Sequence, residues 1–339
     1  MSLSGFWHAS AALSGRIDLS EAYRHADPLP DLSDRVLSLC GVSQRHIQRL
    51  RRTPPLHTDQ TSLTLQDAAY PAQLRVLPFA PPVLFYRGDL RRLSDPCVAV
   101  VGARRCTQRA RDISGEFVRF ISSRGVSVVS GLAYGVDEAA HTAAPERAIA
   151  VLGQGLGGPL TARQNQVLEL ILSSGGLVIS EFLPGSPASK YTFPRRNRVI
   201  SGLSLGTVVV EATLRSGSLV TARHALDQGR EVMAVPGHPM DPMSEGCNRL
   251  IADGAALVTS GHDVLEHINI ASPPRTRTVP TCVHQRAVLH ALQTGDTVDH
   301  VAAMTGLDLP TILVAIDGLE LTEHVARLPG DRLRSYERP

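Results

Sequence analysis

Short apolar runs without polar alternation recur through the middle of the chain. They are rich in valine and isoleucine and read CVAVV at 97–101, VSVVS at 126–130, AIAVLG at 148–153, LVIS at 177–180, TVVVEA at 207–212 and EVMAVPG at 231–237. Runs of this length and composition predict strands that are buried on both faces. Between them lie stretches with an apolar residue at every third or fourth position, which predict helices: RDISGEFVRFISSRG, LTARQNQVLELILSSGG and SLVTARHALDQGR. Such alternation predicts a doubly wound α/β domain with a mostly parallel sheet.

The regions on either side of the predicted sheet have different patterns. Residues 1–55 hold helical patterns and no convincing strand, which predicts a small helical domain of the SAM or helix-hairpin-helix type. The stretch INIASPPRTRTVPT, 268–281, mixes proline, serine, threonine and arginine without an apolar period, as linkers do. We therefore place the α/β domain at 56–267 and a third domain at 282–339.

The third domain shows three helical segments followed by two short extended pieces around Pro-Gly-Asp, which is the order of a winged helix. A helix that enters the major groove needs donors for phosphates and bases. The third segment, LPTILVAIDGLELTEH, instead holds Asp317, Glu320 and Glu323 and no lysine or arginine. We expect it to contact protein. A purely structural domain and a transcriptional regulator that reads DNA with this helix stay open as alternatives.

Composition narrows the class of protein further. The 339 residues are 43% hydrophobic and 19% charged, and the net charge is only +2, so binding of a polyanion must come from local clusters of cations. No apolar stretch reaches about 18 residues, which disfavours membrane spanning. The cysteines are scattered without a CxxC pair, so we expect no metal site, no disulfide framework and a cytoplasmic location. They are Cys40, Cys97, Cys106, Cys247 and Cys282.

Candidate chemistry lies at the carboxyl ends of the predicted strands. In a doubly wound sheet the ligand crevice lies beyond these ends, where helix N-termini and glycine turns present backbone N–H groups to anions. The ends read GARR at 102–105, SGLAYG at 130–135, GQGLGG at 153–158, SEFLPG at 180–185, EATLRSGS at 211–218 and PGH at 236–238. Small residues predominate, so a ligand can approach the backbone closely.

One of these turns, GQGLGG, matches the dinucleotide fingerprint GxGxxG, and Glu181 follows 23 residues after Gly158. However, the match falls on the third strand of the domain, and Pro159 stands where close helix packing should begin. A P-loop is excluded because the only lysine, Lys190, lies between serine and tyrosine. We expect no cofactor. An enzyme that acts on a nucleotide phosphate stays open, since glycine turns also suit one phosphate.

Catalytic motifs are scarce in the sequence. It contains no HExxH pair or kinase set, and few carboxylates follow the predicted strands. Glu181 and Glu211 are the candidates for an acid or a base. For both we expect a structural role, in which they accept N–H bonds from loops or pair with arginine. His141 is expected to pack a helix. The sequence therefore predicts a protein that binds without catalysis.

The single lysine lies in KYTFPRRNR, residues 190–198, near the carboxyl end of a predicted strand. Pro194 can open a helix as its first residue, which places the arginines in the first turns. Single-stranded nucleic acid needs cations for phosphates and aromatic faces for bases, at about 1–3 kcal/mol per stacked base. We therefore expect this segment to bind it. A solvated charged loop, with Phe193 in the core, stays open as the alternative.

A resemblance to a known family rests on motifs that occur in one order and at one spacing. They are VAVVGARR, VVSGLAYGVDEAAH, IAVLGQGL, ISEFLPGS, FPRRNRVISGLS, VVVEATLRSGSLVTARHALDQGREVMAVPG and GCNRLIADGA. Together they resemble the DNA-processing protein A family (DprA, also called Smf). Upstream, LTLQDAAYPAQLRVLPFAPPVLFYRGDL resembles that family's lead-in to its Rossmann-like domain. The resemblance covers residues 63–260.

The resemblance implies a cytoplasmic homodimer, joined through the Rossmann-like domain, that acts in natural transformation. It would bind incoming single-stranded DNA more strongly than duplex, protect it and help load the RecA recombinase, with a single-stranded DNA-binding protein as a further partner. Arg104, Lys190 and Phe193 would carry the DNA contacts. The same pocket would be lined by Gly102, Ser130, Gly131, Arg195, Asn197, Arg198, Ser216, Gly217 and Ser218.

Two positions depart from the family pattern. Gly157 stands where the family usually has an aspartate, and Tyr134 stands where an arginine is common. A tyrosine at that position would offer a stacking face in place of a phosphate contact.

Overall fold

The computed structural model describes residues 34–39, 42–52, 61–270, 282–321, 325–328 and 332–335. The chain divides into two compact units between Ser272 and Pro273. Most of the predicted linker lies outside the described residues. Its first residues, 268–270, belong to the first unit, because Ile268 is buried and the Ile270 N–H donates to the Leu265 carbonyl.

A sheet of nine strands forms the centre of the first unit in the described part of the chain. The strands are β1 (Ser62–Thr64), β2 (Val83–Gly88), β3 (Cys97–Val101), β4 (Ser127–Ser130), β5 (Ala148–Val151), β6 (Leu177–Ser180), β7 (Gly206–Val209), β8 (Glu231–Ala234) and β9 (Ala256–Leu257). Their spatial order is β1-β2-β6-β5-β4-β3-β7-β8-β9. From β6 to β9 all neighbours are parallel, and β2 and β1 add antiparallel at one edge. The predicted doubly wound, mostly parallel sheet is confirmed.

Helices cover both faces of this sheet. They are α1 (Asp34–Leu39), α2 (Gln44–Arg52), α3 (Ala72–Arg75), α4 (Gln108–Ser122), α5 (Val136–Ala143), α6 (Ala162–Ser173), α7 (Thr192–Gly202), α8 (Ser218–Asp227), α9 (Glu245–Ala252) and α10 (Gly261–His267). Short 3₁₀ turns at Leu90–Ser94 and Pro145–Arg147 lead into β3 and β5. Some of these helices begin at a residue type that commonly caps helices. For example, the Thr107 hydroxyl accepts from the Ala110 N–H at the start of α4.

Strand β3 shows why the apolar runs lack alternation. Cys97, Ala99 and Val101 join one apolar cluster, while Val98 and Val100 join the cluster on the opposite face. Helices α6 to α9 pack in the first cluster, and α4, α5 and α10 pack in the second. Because both faces of the strand are covered, every side chain is apolar.

The described part of the predicted N-terminal domain consists of α1 and α2. Their buried residues Leu37, Val42 and Ile47 belong to the same apolar cluster as one face of the sheet. Residues 1–33 lie outside the described residues. A separate helical domain at 1–55 therefore stays a prediction.

The second unit has its own small core. Its elements are α11 (Val283–Ala291), α12 (Val298–Thr305), α13 (Leu309–Leu321) and the antiparallel strands β10 (Val325–Leu328) and β11 (Arg332–Ser335). This order agrees with the predicted winged helix, an assignment that stays a prediction. The acidic residues of α13 are partly neutralised within the unit, because Arg327 binds Glu320 at 3.3 Å and also pairs with Asp317.

None of the described helices is by itself long and apolar enough to cross a membrane. The segments Val298–Thr305 and Leu309–Glu320 reach the required length and apolarity only when taken together, and they are bent by 115°.

Candidate functional site

A cavity of about 470 Å³ lies where the strand order reverses, between the carboxyl ends of β3 and β7. The chain runs from β3 outward through β4, β5 and β6, then returns to add β7 on the other side of β3. This reversal leaves a crevice beyond the strand ends, as in other doubly wound sheets. Seven of the twelve predicted site residues line the cavity: Gly102, Arg104, Phe193, Asn197, Ser216, Gly217 and Ser218.

Arg104 and Phe193 form the aromatic and cationic part of the wall. The Arg104 guanidinium carbon lies 5.1 Å from the centroid of the Phe193 ring, within cation–π range. The ring also packs on Gly153, where a Cβ atom would come within 2.7 Å of the ring carbon Cδ1. Phe193 is therefore half-buried and lines the cavity, while Arg104 is exposed above it.

The loop between β7 and α8 supplies the small polar part of the wall. The Ser216 and Ser218 hydroxyl oxygens lie 2.7 Å apart at the N-terminus of α8. The Asn197 side-chain amide donates to the Gly217 carbonyl at 3.4 Å and so joins α7 to this loop. Hydroxyl groups at a helix N-terminus favour an anion such as a phosphate. Across the cavity, Gly102 is needed because a Cβ would come within 2.5 Å of Val136.

Arg196 lines the cavity from below and was missed by the sequence analysis. It is only 4% exposed and donates to the carbonyls of Gly131 (2.7 Å) and Val151, and its Nε donates to Asn197 at 3.1 Å. Burial lowers the pKa of Arg196 to about 10, so the guanidinium remains protonated at neutral pH. The base of the cavity therefore holds the fixed guanidinium of Arg196, close to the carboxyl group of Asp137.

Helical spacing is the signal that could have found Arg196. Phe193, Arg196, Asn197 and Ile200 follow the i, i+3, i+4, i+7 spacing, and all four line the cavity. Arg195 and Arg198, which were predicted to lie in the site, do not line the cavity.

Arg195 and Arg198 instead bind the carboxylate of Glu181, which is 1% exposed. The Arg195 and Arg198 Nη2 atoms lie 3.3 Å and 2.5 Å from its Oε2 atom. The Arg195 guanidinium also lies 5.0 Å from the centre of the Phe182 ring. Glu181 thus has the structural role expected from the sequence, and the two arginines hold the other side of α7 against the end of β6.

The remaining predicted residues lie beneath or beside the cavity. Ser130 is buried and its hydroxyl donates to the Val100 carbonyl at 2.7 Å. Gly131 is buried between Arg196 and Asp137, whose carboxylate accepts from the Gly131 N–H at 3.1 Å. Burial raises the pKa of Asp137, and the Arg196 guanidinium opposes that rise. Ser130 and Gly131 support the wall without lining it, whereas Asp137 lines it beside Arg196. Lys190 is exposed in the turn before α7.

The candidate acids and bases have structural roles. Glu211 accepts from the Thr107 N–H at 3.0 Å and from the Thr107 hydroxyl at 2.6 Å. His141 is fully buried, and burial lowers its pKa to about 3, with the Arg196 charge acting in the same direction. Both expectations agree with the geometry. Within the described residues no three His, Cys, Asp or Glu side chains converge as metal ligands.

The GQGLGG turn is used for packing. A Cβ at Gly155 would overlap the Leu183 carbonyl oxygen, and the Gly155 N–H donates to the Ser186 carbonyl at 3.0 Å. The glycines therefore allow this turn to lie against the loop that follows β6. Tyr134, one of the departures from the family pattern, donates its hydroxyl to Thr161 at 2.8 Å at the start of α6.

Together, the fold and the cavity define a doubly wound α/β protein with a ligand site at its switch point that is lined by cationic side chains. A family model described as DNA recombination-mediator protein A matches residues 61–269. The chain belongs to this family.

Relatives in the family match much of the chain. Protein Smf of Escherichia coli is 37% identical over 323 residues, covering 88% of this chain and 86% of the relative. The DNA processing protein DprA of Streptococcus pneumoniae is 44% identical over 207 residues, covering 60% of this chain and 73% of the relative.

Two solved structures share the fold. The X-ray structure of DprA from Streptococcus pneumoniae matches with a TM-score of 0.65 and 32% identity, covering 78% of this chain and 98% of that one. DNA processing protein A of Helicobacter pylori, described for its single-stranded DNA binding mode, matches with a TM-score of 0.56 and 26% identity. That match covers 62% of this chain and 97% of the other.

Proposed function

We propose that this protein binds single-stranded DNA without catalysis and acts in natural transformation, where it protects the incoming strand and helps load the RecA recombinase. One observation carries the binding proposal. The switch-point cavity combines an aromatic ring under an exposed guanidinium, Phe193 and Arg104, with the buried charge of Arg196. Family membership and the binding mode described for the Helicobacter pylori relative support the choice of ligand.

The cavity wall suits one nucleotide in two ways. The Phe193 ring and the Arg104 guanidinium offer flat surfaces for an unpaired base. The serine hydroxyls at the N-terminus of α8 and the charge of Arg196 favour its phosphate. A base held in duplex DNA must first be unpaired and unstacked to enter such a site, at a cost of a few kcal/mol. Duplex DNA should therefore bind more weakly.

The partners belong to the same proposal. We propose a homodimer through the Rossmann-like domain, contact with RecA and with a single-stranded DNA-binding protein, and a cytoplasmic location, as the resemblance to the DNA-processing protein A family implies. In the second unit, the acidic α13 supports a protein contact over a DNA contact, because phosphates would be repelled.

Fluorescence anisotropy with a labelled single strand and its duplex tests the binding proposal. Arg104→Ala and Phe193→Ala should each weaken binding to the single strand. Arg91→Ala is the matched control, because Arg91 is an exposed arginine that pairs with Asp89 and does not line the cavity. Normal binding by both cavity variants would refute the site.

An enzyme that acts on a nucleotide phosphate is the second candidate. The observation in its favour is the cavity itself, whose volume lies in the usual range for small-molecule sites. Calorimetry with AMP, ATP and NAD separates the two functions. Tight binding of a mononucleotide, together with weak binding of single-stranded DNA, would favour the enzyme.

A further inference from the structure

The turn that precedes α7 presents two neighbouring side chains to solvent. Ser189 and Thr192 close the turn, because the Ser189 N–H donates to the Thr192 hydroxyl at 2.8 Å and that hydroxyl donates to the Ser189 carbonyl at 3.0 Å. The Tyr191 and Thr192 N–H groups both donate to the Ser189 hydroxyl at 3.3 Å. Lys190 and Tyr191 lie between these two residues. Their backbone is therefore fixed before any ligand arrives.

Tyr191 is unusually open for an aromatic residue. It is 73% exposed, and the Lys190 ammonium lies 5.1 Å from the centre of its ring. A large exposed aromatic ring loses the stabilisation that burial would give. The fold makes no use of this ring, whereas a ligand with a flat surface would.

Phe193 offers less stacking area than its position suggests. One part of its ring packs on Gly153 and another lies under the Arg104 guanidinium. The cavity therefore offers one aromatic ring, partly covered, for stacking. A strand that continues beyond the cavity needs a second aromatic surface, and Tyr191 is only two residues from Phe193. Two residues span at most about 7 Å, so both rings lie within reach of neighbouring nucleotides.

We propose that Tyr191 and Lys190 form a second nucleotide subsite outside the cavity. Tyr191 stacks on an unpaired base of the bound strand, and Lys190 pairs with the adjoining phosphate. An aromatic ring beside a cation is the combination with which proteins hold single strands without reading their sequence. This subsite rests on the proposed function. The strand would continue from the switch-point cavity along the start of α7.

Anisotropy with an oligothymidylate and with an abasic strand of the same length tests the subsite. Tyr191→Ala and Tyr191→Leu should weaken oligothymidylate binding by about 5- to 150-fold, the effect of losing one stacked base. Tyr191→Phe retains the ring and should bind like the unmodified protein. None of the three should alter the salt dependence, whereas Lys190→Ala should reduce the slope of log K against log[salt] by about 0.7.

The abasic strand separates stacking from other effects. It carries the same phosphates without bases, so Tyr191→Ala should bind it as the unmodified protein does. Equal weakening for both strands would overturn the proposal, because the ring would then act through the turn. Leu170→Ala removes another exposed apolar side chain, on α6, and serves as the control. Thermal unfolding of each variant verifies the fold.

Failure of the subsite differs from failure of the proposed function. If Tyr191→Ala and Tyr191→Leu bind oligothymidylate normally while Arg104→Ala and Phe193→Ala bind it poorly, the second subsite is refuted and the cavity stands. If the unmodified protein does not bind the single strand, the proposed function fails and the subsite fails with it.

Discussion

The carboxylate of Glu181 accepts a hydrogen bond from Arg198 at 2.5 Å, and both side chains are withdrawn from solvent. The two residues come from different elements, since Glu181 follows β6 and Arg198 lies in α7. This pair, with Arg195 beside it, determines which side of α7 faces the cavity. The arginines of the motif KYTFPRRNR therefore have two different roles. Arg196 lines the cavity, whereas Arg195 and Arg198 bind Glu181 away from it.

Removing Glu181 should strongly destabilise the protein. Glu181→Ala leaves two guanidinium groups without their carboxylate, and loss of one partner of a buried ion pair costs about 3–5 kcal/mol. Urea denaturation should show a lower midpoint. Glu169→Ala is the control, because Glu169 is exposed and lies 3.8 Å from Arg87. That exposed pair should contribute no more than about 1 kcal/mol. Similar midpoints for the two variants would contradict the assigned role.

Arg104 and Arg195 should differ in how they affect the salt dependence of DNA binding. Arg104 lines the cavity and is exposed, so Arg104→Ala should reduce the slope of log K against log[salt] by about 0.7, the value for one neutralised phosphate. Arg195 pairs with Glu181, so Arg195→Ala should leave the slope nearly unchanged. Binding isotherms at several salt concentrations measure both slopes. An equal reduction for the two variants would mean that Arg195 also reaches the strand.

Replacing the single lysine by arginine should preserve binding. Lys190 is exposed, and its ammonium group makes a cation–π contact with the Tyr191 ring. A guanidinium group can make the same contact. Lys190→Arg should therefore bind single-stranded DNA almost normally, while Lys190→Ala should bind it more weakly. A large loss for Lys190→Arg would show that the compact ammonium itself is required.

Gly155→Ala should destabilise the fold more than Gly157→Ala does. At Gly155 a Cβ would overlap the Leu183 carbonyl oxygen, whereas Gly157 has open space around it and only its positive φ of 74° to maintain. The left-handed conformation costs a residue with a Cβ about 1–2 kcal/mol. Urea denaturation compares the two variants. The reverse order would mean that the turn can move away from the loop after β6.

Stability should fall as the pH is lowered, in part because of His141. Its pKa is about 3 in the folded protein and about 6.5 in the unfolded chain, so only the unfolded chain gains a proton between these values. This difference lowers the free energy of unfolding by up to about 1.4 kcal/mol per pH unit from pH 6.5 down to about 3. Asp137, whose pKa is raised, acts in the opposite direction near the acid end of this window.

His141→Gln isolates the histidine contribution. The variant retains Asp137 and every other titrating group, so the difference between the two pH profiles belongs to His141. Urea denaturation from pH 7.5 to 4 should show a smaller loss of stability for the variant. Parallel profiles would mean that His141 is protonated in the folded protein.

The central fold was predictable because each strand follows a simple physical rule. A strand covered by helices on both faces, such as Cys97–Val101, has no solvent-facing position and therefore forms a continuous apolar run. The antiparallel strands β1 and β2 were not identified from the apolar pattern. They pair antiparallel at the sheet edge, and the outer end of β2 is exposed, so their sequences lack that signature.

Only part of the site could be predicted from the sequence. Contacts between residues that are far apart in the sequence decide which cationic side chains line the cavity. Arg196 is buried by carbonyl partners that lie 45 and 65 residues away in the sequence. Glu181 binds Arg195 and Arg198, which follow it by 14 and 17 residues in the sequence. Local spacing indicates that a helix carries these arginines, but the partner of each one depends on the packing of α7 against β5 and β6.

Arg196 gives its hydrogen bonds to backbone carbonyls at the ends of β4 and β5 and to its neighbour Asn197. A side chain held in this way cannot follow a ligand. Its guanidinium therefore keeps one position in the cavity wall whether or not a ligand is bound. No rotamer freedom of this side chain is lost when a ligand arrives, which removes one of the usual entropic costs of binding.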